Sequence, residues 1–188
     1  MLVVGLGNPG WEYEKTRHNV GFRVIDELCA RFRKELSPGK GDYAFALASA
    51  GGKDIVLVKP LTFMNNSGVA VVDALEKFGM SVGELLVVSD DFALPLGTLR
   101  LREAGSDGGH NGLSSVIYQL GTEQFARLRC GIGKESAPAG EERAEFVLAP
   151  FDDEELAAVT AMIPRAADGV IECVTAGIAR AMTKVNTA

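Results

Sequence analysis

The stretch Leu2-Val3-Val4-Gly5-Leu6-Gly7-Asn8-Pro9-Gly10 begins as an apolar run and ends in loop chemistry. A short Val/Leu run closed by Gly and Pro reads as a strand buried on both faces, and Pro9 prevents it from continuing as a regular element. Outward from it, Gly21, Ile25, Leu28, Cys29 and Phe32 recur at helical spacing over residues 19–33. Residues 37–41 read as a loop. Residues 43–49 and 55–58 flank Gly51-Gly52, which predicts a hairpin. Val69, Val72, Leu75 and Phe78 predict a helix, and Leu85-Leu86-Val87-Val88 a second buried strand ending at Ser89-Asp90-Asp91.

Further on, residues 98–102 alternate apolar and basic, as a half-exposed strand does. A glycine-rich loop (105–112), a short helix (113–120) and a strand (128–132) follow. Leu156, Val159, Ile163, Ala166, Val170 and Cys173 then mark one long helix kinked at Pro164, or two helices meeting there. Strands interleaved with helices predict a single-domain α/β/α sandwich around a twisted mixed β-sheet, spanning 1–188.

The composition sets limits. The chain has 188 residues, 47% hydrophobic and 23% charged, which supplies one core. No 18-residue uncharged apolar run is present, and the N-terminus lacks a basic, cleavable leader pattern, so neither a membrane span nor secretion is expected. Cys29, Cys130 and Cys173 are sparse and odd in number, which argues for buried thiols in a reducing cytoplasm rather than for disulfides or a metal site. The net charge of −6 opposes a broadly basic surface, so any contact with nucleic acid must come from a local patch.

The chemistry-bearing residues cluster in a few loops. The only two histidines lie in Thr16-Arg17-His18-Asn19 and Gly108-Gly109-His110-Asn111-Gly112. Phe63-Met64-Asn65-Asn66-Ser67-Gly68 and Ser89-Asp90-Asp91 are the other polar clusters. Asn8 and Asp90 fall at strand ends, where open α/β sheets bind ligands. A base, a carboxylate to orient it and neutral amide donors suit attack on an ester or amide carbonyl. Two patterns are set aside. Gly5-x-Gly7-x-x-Gly10 matches a dinucleotide fingerprint, but Pro9 interrupts it and no acidic strand end follows about 20 residues on. The two histidines lack ligand spacing, so no metal or other cofactor is expected.

Val4-Gly5-Leu6-Gly7-Asn8-Pro9-Gly10, Tyr13, Thr16-Arg17-His18-Asn19-x-Gly21, Lys59-Pro60-x-Thr62-Phe63-Met64-Asn65-x-Ser67-Gly68 and Gly108-Gly109-His110-Asn111-Gly112 follow one another along the chain. Phe125-x-Arg127-Leu128-Arg129-x-Gly131-Ile132-Gly133 and Phe146-Val147-Leu148 continue the series. Together they resemble, in order and spacing, the signatures of the bacterial peptidyl-tRNA hydrolases.

The resemblance implies hydrolysis of the ester between peptide and tRNA, with peptidyl-tRNA as partner, no membrane partner and a monomeric state. It implies His18 as general base and Asp90 as its charge partner. Asn8, Asn65 and Asn111 would hold peptide, carbonyl or water, with His110 shaping the loop and Tyr13, Phe63 and Met64 beside the peptide. Arg100 and Arg102 are the basic candidates for tRNA, extended by Lys134 and Arg143. Ala93 stands where the family often has an acid, and Glu142 near a position that is usually basic. A non-catalytic RNA-binding module on the same fold is the alternative, but it has no need of the full set Asn8, His18, Asn65, Asp90 and Asn111.

Overall fold

The structure is a computed structural model describing residues 1–134 and 142–187. Its strands are β1 (Leu2–Gly5), β2 (Ser37–Pro38), β3 (Tyr43–Ala50), β4 (Lys53–Pro60), β5 (Leu85–Pro95), β6 (Leu99–Arg102) and β7 (Ala126–Gly133). Its helices are α1 (Val20–Phe32), α2 (Ser67–Phe78), α3 (Asn111–Leu120), α4 (Glu142–Leu148), α5 (Asp153–Ala176) and α6 (Ile178–Asn186). One mixed sheet runs β2-β3-β4-β1-β5-β7-β6. The central strands β4, β1, β5 and β7 are parallel, and β3 and β6 are antiparallel to their neighbours.

The apolar runs explain this order. Every residue of β1 and residues 85–91 of β5 are buried, as parallel strands covered on both faces require. Their alternate residues feed two cores. Val3, Leu86 and Val88 face α1, α5 and α6, whereas Leu2, Val4, Leu85 and Val87 face α2 and α3. The α/β/α sandwich expected from the sequence is therefore present.

Some boundaries differ from expectation. β5 does not stop at Asp91 but continues to Pro95, with a register irregularity against β7 between these two residues. Of the two readings of the C-terminal segment, one long helix through Pro164 is the one present: α5 runs through it for 24 residues, and the break falls at Gly177, whose φ of 89° favours glycine. Ser37-Pro38, read as loop, forms a two-residue edge strand. The helical form of Phe146-Val147-Leu148 in α4 had no periodic signal in so short a segment.

β1 is where the connections diverge. The chain leaves β1 toward α1 on one face of the sheet, while β4 leads to α2, and β5 through β6 to α3, on the other. Such a reversal opens a crevice beyond the strand C-termini. Asn8 and Asp90 lie there. α1 comes very close to the end of β1: a Cβ on Gly21 would stand 2.5 Å from the Leu6 and Val88 backbone. That approach carries the turn Arg17–Asn19, immediately before α1, up to β5 at Asp90.

Candidate active site

His18 Nδ1 lies 2.8 Å from Asp90 Oδ1, and both side chains are buried. Burial raises the cost of the Asp90 charge, but the charges of His18 and His110 and their hydrogen bonds outweigh it and hold the carboxyl well below the usual range. For His18, burial disfavours the imidazolium, and the charge and hydrogen bond of Asp90 more than offset this, leaving its pKa above the usual value. An ionised carboxylate only accepts hydrogen bonds, so Nδ1–H of His18 donates and Nε2 keeps the lone pair of a base.

The sequence did not foretell the second partner. His110 Nε2 is 3.0 Å from the same Asp90 oxygen. Its Nδ1 accepts from the Leu113 amide at 3.2 Å and so caps α3, the tautomer in which Nε2–H points toward Asp90. Asp91, the other member of the acidic pair, points elsewhere: Oδ1 accepts from the Ala93 amide at 2.8 Å, and Oδ2 meets the Arg129 guanidinium.

Asn8 is aimed by its neighbours. Asn19 Oδ1 accepts from its amide at 2.8 Å, and Asn19 Nδ2 donates to its carbonyl at 2.9 Å. The Met64 amide donates to Asn8 Oδ1 at 2.8 Å, so Asn8 Nδ2 is the group left to donate elsewhere. Met64 also fills the space beside Gly112, where a Cβ would stand 2.4 Å from its sulfur. Asn65 and Asn111, next to Met64 and Gly112, are exposed, with no side-chain hydrogen bond to another described residue. Phe63 holds a φ of 58°, strained for a residue with a side chain, and its exposed ring meets Tyr13 edge-on at 6.2 Å.

Two buried arginines brace this arrangement. The Arg17 guanidinium donates to Glu155 Oε2 and to the Pro150 carbonyl, both at 2.6 Å, between the rings of Phe146 and Phe151. Its amide donates to the Ala149 carbonyl at 3.0 Å. The turn bearing His18 is thereby tied to the segment joining α4 and α5. Arg127, on β7, donates to the carbonyls of Gly105, Ser106 and Glu123, pinning the glycine-rich loop that leads to His110. The motif Arg17-His18 was visible in sequence; the carbonyls that bind these arginines carry no side-chain signal.

Of the basic candidates, Arg143 stands beside the loop that carries His110: a Cβ on Gly109 would lie 3.6 Å from its guanidinium. Arg100 and Arg102 pair in register with Arg129 and Arg127 on the β6/β7 edge, while Leu99 and Leu101 between them enter the core. Lys134 lies 2.6 Å from Asp152, and Arg143 is exposed and stacks over Phe92 at 4.9 Å. Cys29, Cys130 and Cys173 are buried free thiols, and burial pushes Cys173 up to about 12. No helix among the described residues is long and apolar enough to cross a membrane.

Among the described residues, one group could hold a cation: the ligand atoms of His18, Asp90 and His110 lie within 4.8 Å of one another. The fold assembles this cluster from residues whose sequence spacing gave no metal signal. Their contacts of 2.8 and 3.0 Å are hydrogen-bond lengths. Two ligands of one tetrahedral zinc ion, each bonded at about 2.0–2.1 Å, stand roughly 3.3 Å apart.

The fold and this histidine–aspartate centre define an α/β protein with a polar site at the strand C-termini. The family model for peptidyl-tRNA hydrolase matches residues 2–188. A peptidyl-tRNA hydrolase of Chlorobaculum parvum is 45% identical over 185 residues, covering 98% of this chain and 97% of the relative. One from Aquifex aeolicus is 50% identical over 170 residues, covering 88% and 85%. The crystal structure of peptidyl-tRNA hydrolase from Acinetobacter baumannii superposes with a TM-score of 0.90 at 32% identity, over 98% of this chain and 93% of that one. The chain belongs to the peptidyl-tRNA hydrolase family.

Proposed function

We propose that the protein hydrolyses the ester between peptide and tRNA in peptidyl-tRNA, with water activated by His18. The observation that carries this reading is the buried His18–Asp90 contact, which leaves Nε2 of His18 as a base, with Asn8 held through Asn19, the residue next to His18. Nε2 takes a proton from water as its oxygen attacks the ester carbonyl. Asp90 steadies the imidazolium that forms, and the imidazolium then returns the proton to the leaving ribose oxygen. Asn8, with Asn65 and Asn111, donates to the carbonyl oxygen as it gains charge. Met64, Phe63 and Tyr13 border the peptide.

Arg100 and Arg102 supply the tRNA contacts, with Arg143 and Lys134 at the margin. Lys134 must first give up Asp152. The enzyme acts as a monomer in the cytoplasm, where its substrate arises, and as one domain over residues 1–188. The test is release of N-acetyl-aminoacyl groups from tRNA: wild type turns over, and His18→Ala loses about 10²–10⁴-fold in kcat. A fully active His18→Ala would overturn the reading.

A further inference from the structure

β6 closes one end of the sheet, and an antiparallel edge strand turns the N–H and C=O of alternate residues away from its neighbour. Between Arg100 and Arg102, the residue turned outward is Leu101. Its amide donates to Asn186 Oδ1 at 2.8 Å, and its carbonyl accepts from Asn186 Nδ2 at 3.2 Å. One side-chain amide, 85 residues further on, thus takes both bonds that another strand would make. Asn186 is the last residue of α6, whose Ala181 and Val185 are buried in the same core as Leu99 and Leu101. The clasp repeats the one at Asn8, where Asn19 binds the amide and carbonyl of one residue in the same way.

What the clasp adds is direction. Asn186 is exposed, and water bonds such groups nearly as well, so the two bonds contribute little net stability. They do fix the Leu101 backbone, and with it the stems of Arg100 and Arg102 on either side. These side chains leave the face opposite Leu101, about 7 Å apart along the strand, Arg100 exposed and Arg102 half-buried. β6 has four residues, so its ladder to β7 is short and each peptide group that is held counts. The glycine-rich loop that follows is pinned separately, by Arg127 at the carbonyls of Gly105 and Ser106. The clasp therefore acts on the arginine strand rather than on His110.

We propose that Asn186 is a positioning residue for the tRNA surface: it holds β6 so that Arg100 and Arg102 present both guanidinium groups to the phosphate backbone at once. The proposal rests on the reading of these two arginines as tRNA contacts, and the two are tested apart.

The experiment measures KM and kcat on N-acetyl-aminoacyl-tRNA over a range of salt concentrations. The proteins are wild type, Asn186→Ala, the pair Arg100→Ala with Arg102→Ala, and all three substitutions together. Asn186→Ala is expected to raise KM about 2- to 10-fold, the size of one net hydrogen bond, to flatten the salt dependence and to leave kcat in place. In the background without the two arginines, the same substitution should leave KM unchanged, because the groups it aims are gone. The loss in Tm should be the same in both backgrounds, since the clasp is present in each. A structural role alone would show in Tm and carry into neither KM nor the salt dependence. An unchanged KM in Asn186→Ala overturns the proposal, as does an equal rise with and without the arginines. A fall in kcat at constant KM does so too, because Asn186 would then act on the His110 loop. If KM rises in the double arginine variant but not in Asn186→Ala, this inference alone falls. If the double arginine variant keeps the wild-type KM, the arginine reading falls and this inference with it.

Discussion

His18 and His110 converge on a single atom: Nδ1 of the first and Nε2 of the second lie 2.8 and 3.0 Å from Oδ1 of Asp90, with the ring centroids 4.8 Å apart. Asp90 Oδ2 is buried and has no hydrogen-bond partner among the described residues, so the support of this carboxylate is concentrated on one oxygen. The negative charge raises the pKa of His18 against the effect of burial. In Asp90→Asn the charge goes and burial remains, so the His18 pKa falls. Neutral His18 then persists further into acid, and the acid limb of kcat/KM moves to lower pH while the plateau drops. Asp91→Asn, which loses the ion pair with Arg129 but keeps an oxygen for the Ala93 amide, should leave that limb in place. Profiles of both mutants decide it; a fixed limb in Asp90→Asn would show that this carboxylate does not set the His18 pKa.

His110 is a support for Asp90 with a second task in capping α3. His110→Ala removes one of two donors to the carboxylate but leaves the base, so a loss on the order of 10-fold in kcat is expected, the cost of one charge-assisted hydrogen bond. That is clearly less than for His18→Ala. The lost cap should cost about 1 kcal/mol in stability, readable by denaturant melting. Equal kinetic losses in the two alanine mutants would mean that the roles of the histidines are misassigned.

The strand–loop boundary at Gly7-Asn8-Pro9-Gly10 and the hairpin at Gly51-Gly52 were legible because glycine and proline act locally. The convergence of His18 and Asp90 was reachable through the family resemblance but not from spacing, since 72 residues separate them. His110 as a partner of Asp90 had no local signal, because a histidine among glycines reads as a loop residue until α3 is placed. The continuation of β5 to Pro95 was hidden because its ladder depends on β7, beyond any local window. Pro164 left one helix and two equally open in the sequence; α5 tolerates it in place, and Gly177 carries the backbone angle that ends the helix.

Chelation offers a direct check on the cluster of His18, Asp90 and His110. Its separations are those of hydrogen bonds between protein groups. Extended dialysis against EDTA should therefore leave kcat unchanged, and micromolar zinc should inhibit by displacing the Nδ1 and Nε2 protons. Activity lost to EDTA and restored by a metal would overturn the hydrogen-bonded reading of the centre.

The β6/β7 edge carries the electrostatic prediction. With a net charge of −6, only a local patch attracts phosphate, so the salt dependence of KM should be shallow, about two to four contacts. Arg100→Ala with Arg102→Ala should raise KM and flatten that dependence with little change in kcat. An unchanged KM would remove both arginines from the tRNA surface.

Arg17 gives a prediction that separates support from chemistry. Its guanidinium is buried against Glu155 and the Pro150 carbonyl. Glu155 Oε2 also accepts from the Asp152 amide at 2.7 Å and caps α5. Arg17→Met removes the nearer cation of nearly buried Glu155 and leaves it Lys134 at 3.6 Å, which costs about 1.5–3 kcal/mol, the range for a hydrogen bond to a charged group, or roughly 3–12 °C in Tm for a chain of this size. Adding Glu155→Gln removes the weakly compensated charge and should recover part of that loss. The Arg17 amide keeps its bond to Ala149, so the turn persists but the segment joining α4 and α5 loosens beside His18. Below the melting range, kcat/KM should fall several-fold in Arg17→Met. The acid limb should stay where it is in wild type, because the His18–Asp90 contact is untouched. A Tm within 2 °C of wild type would show that the clasp adds little, and a displaced acid limb would place Arg17 inside the electrostatics of the base.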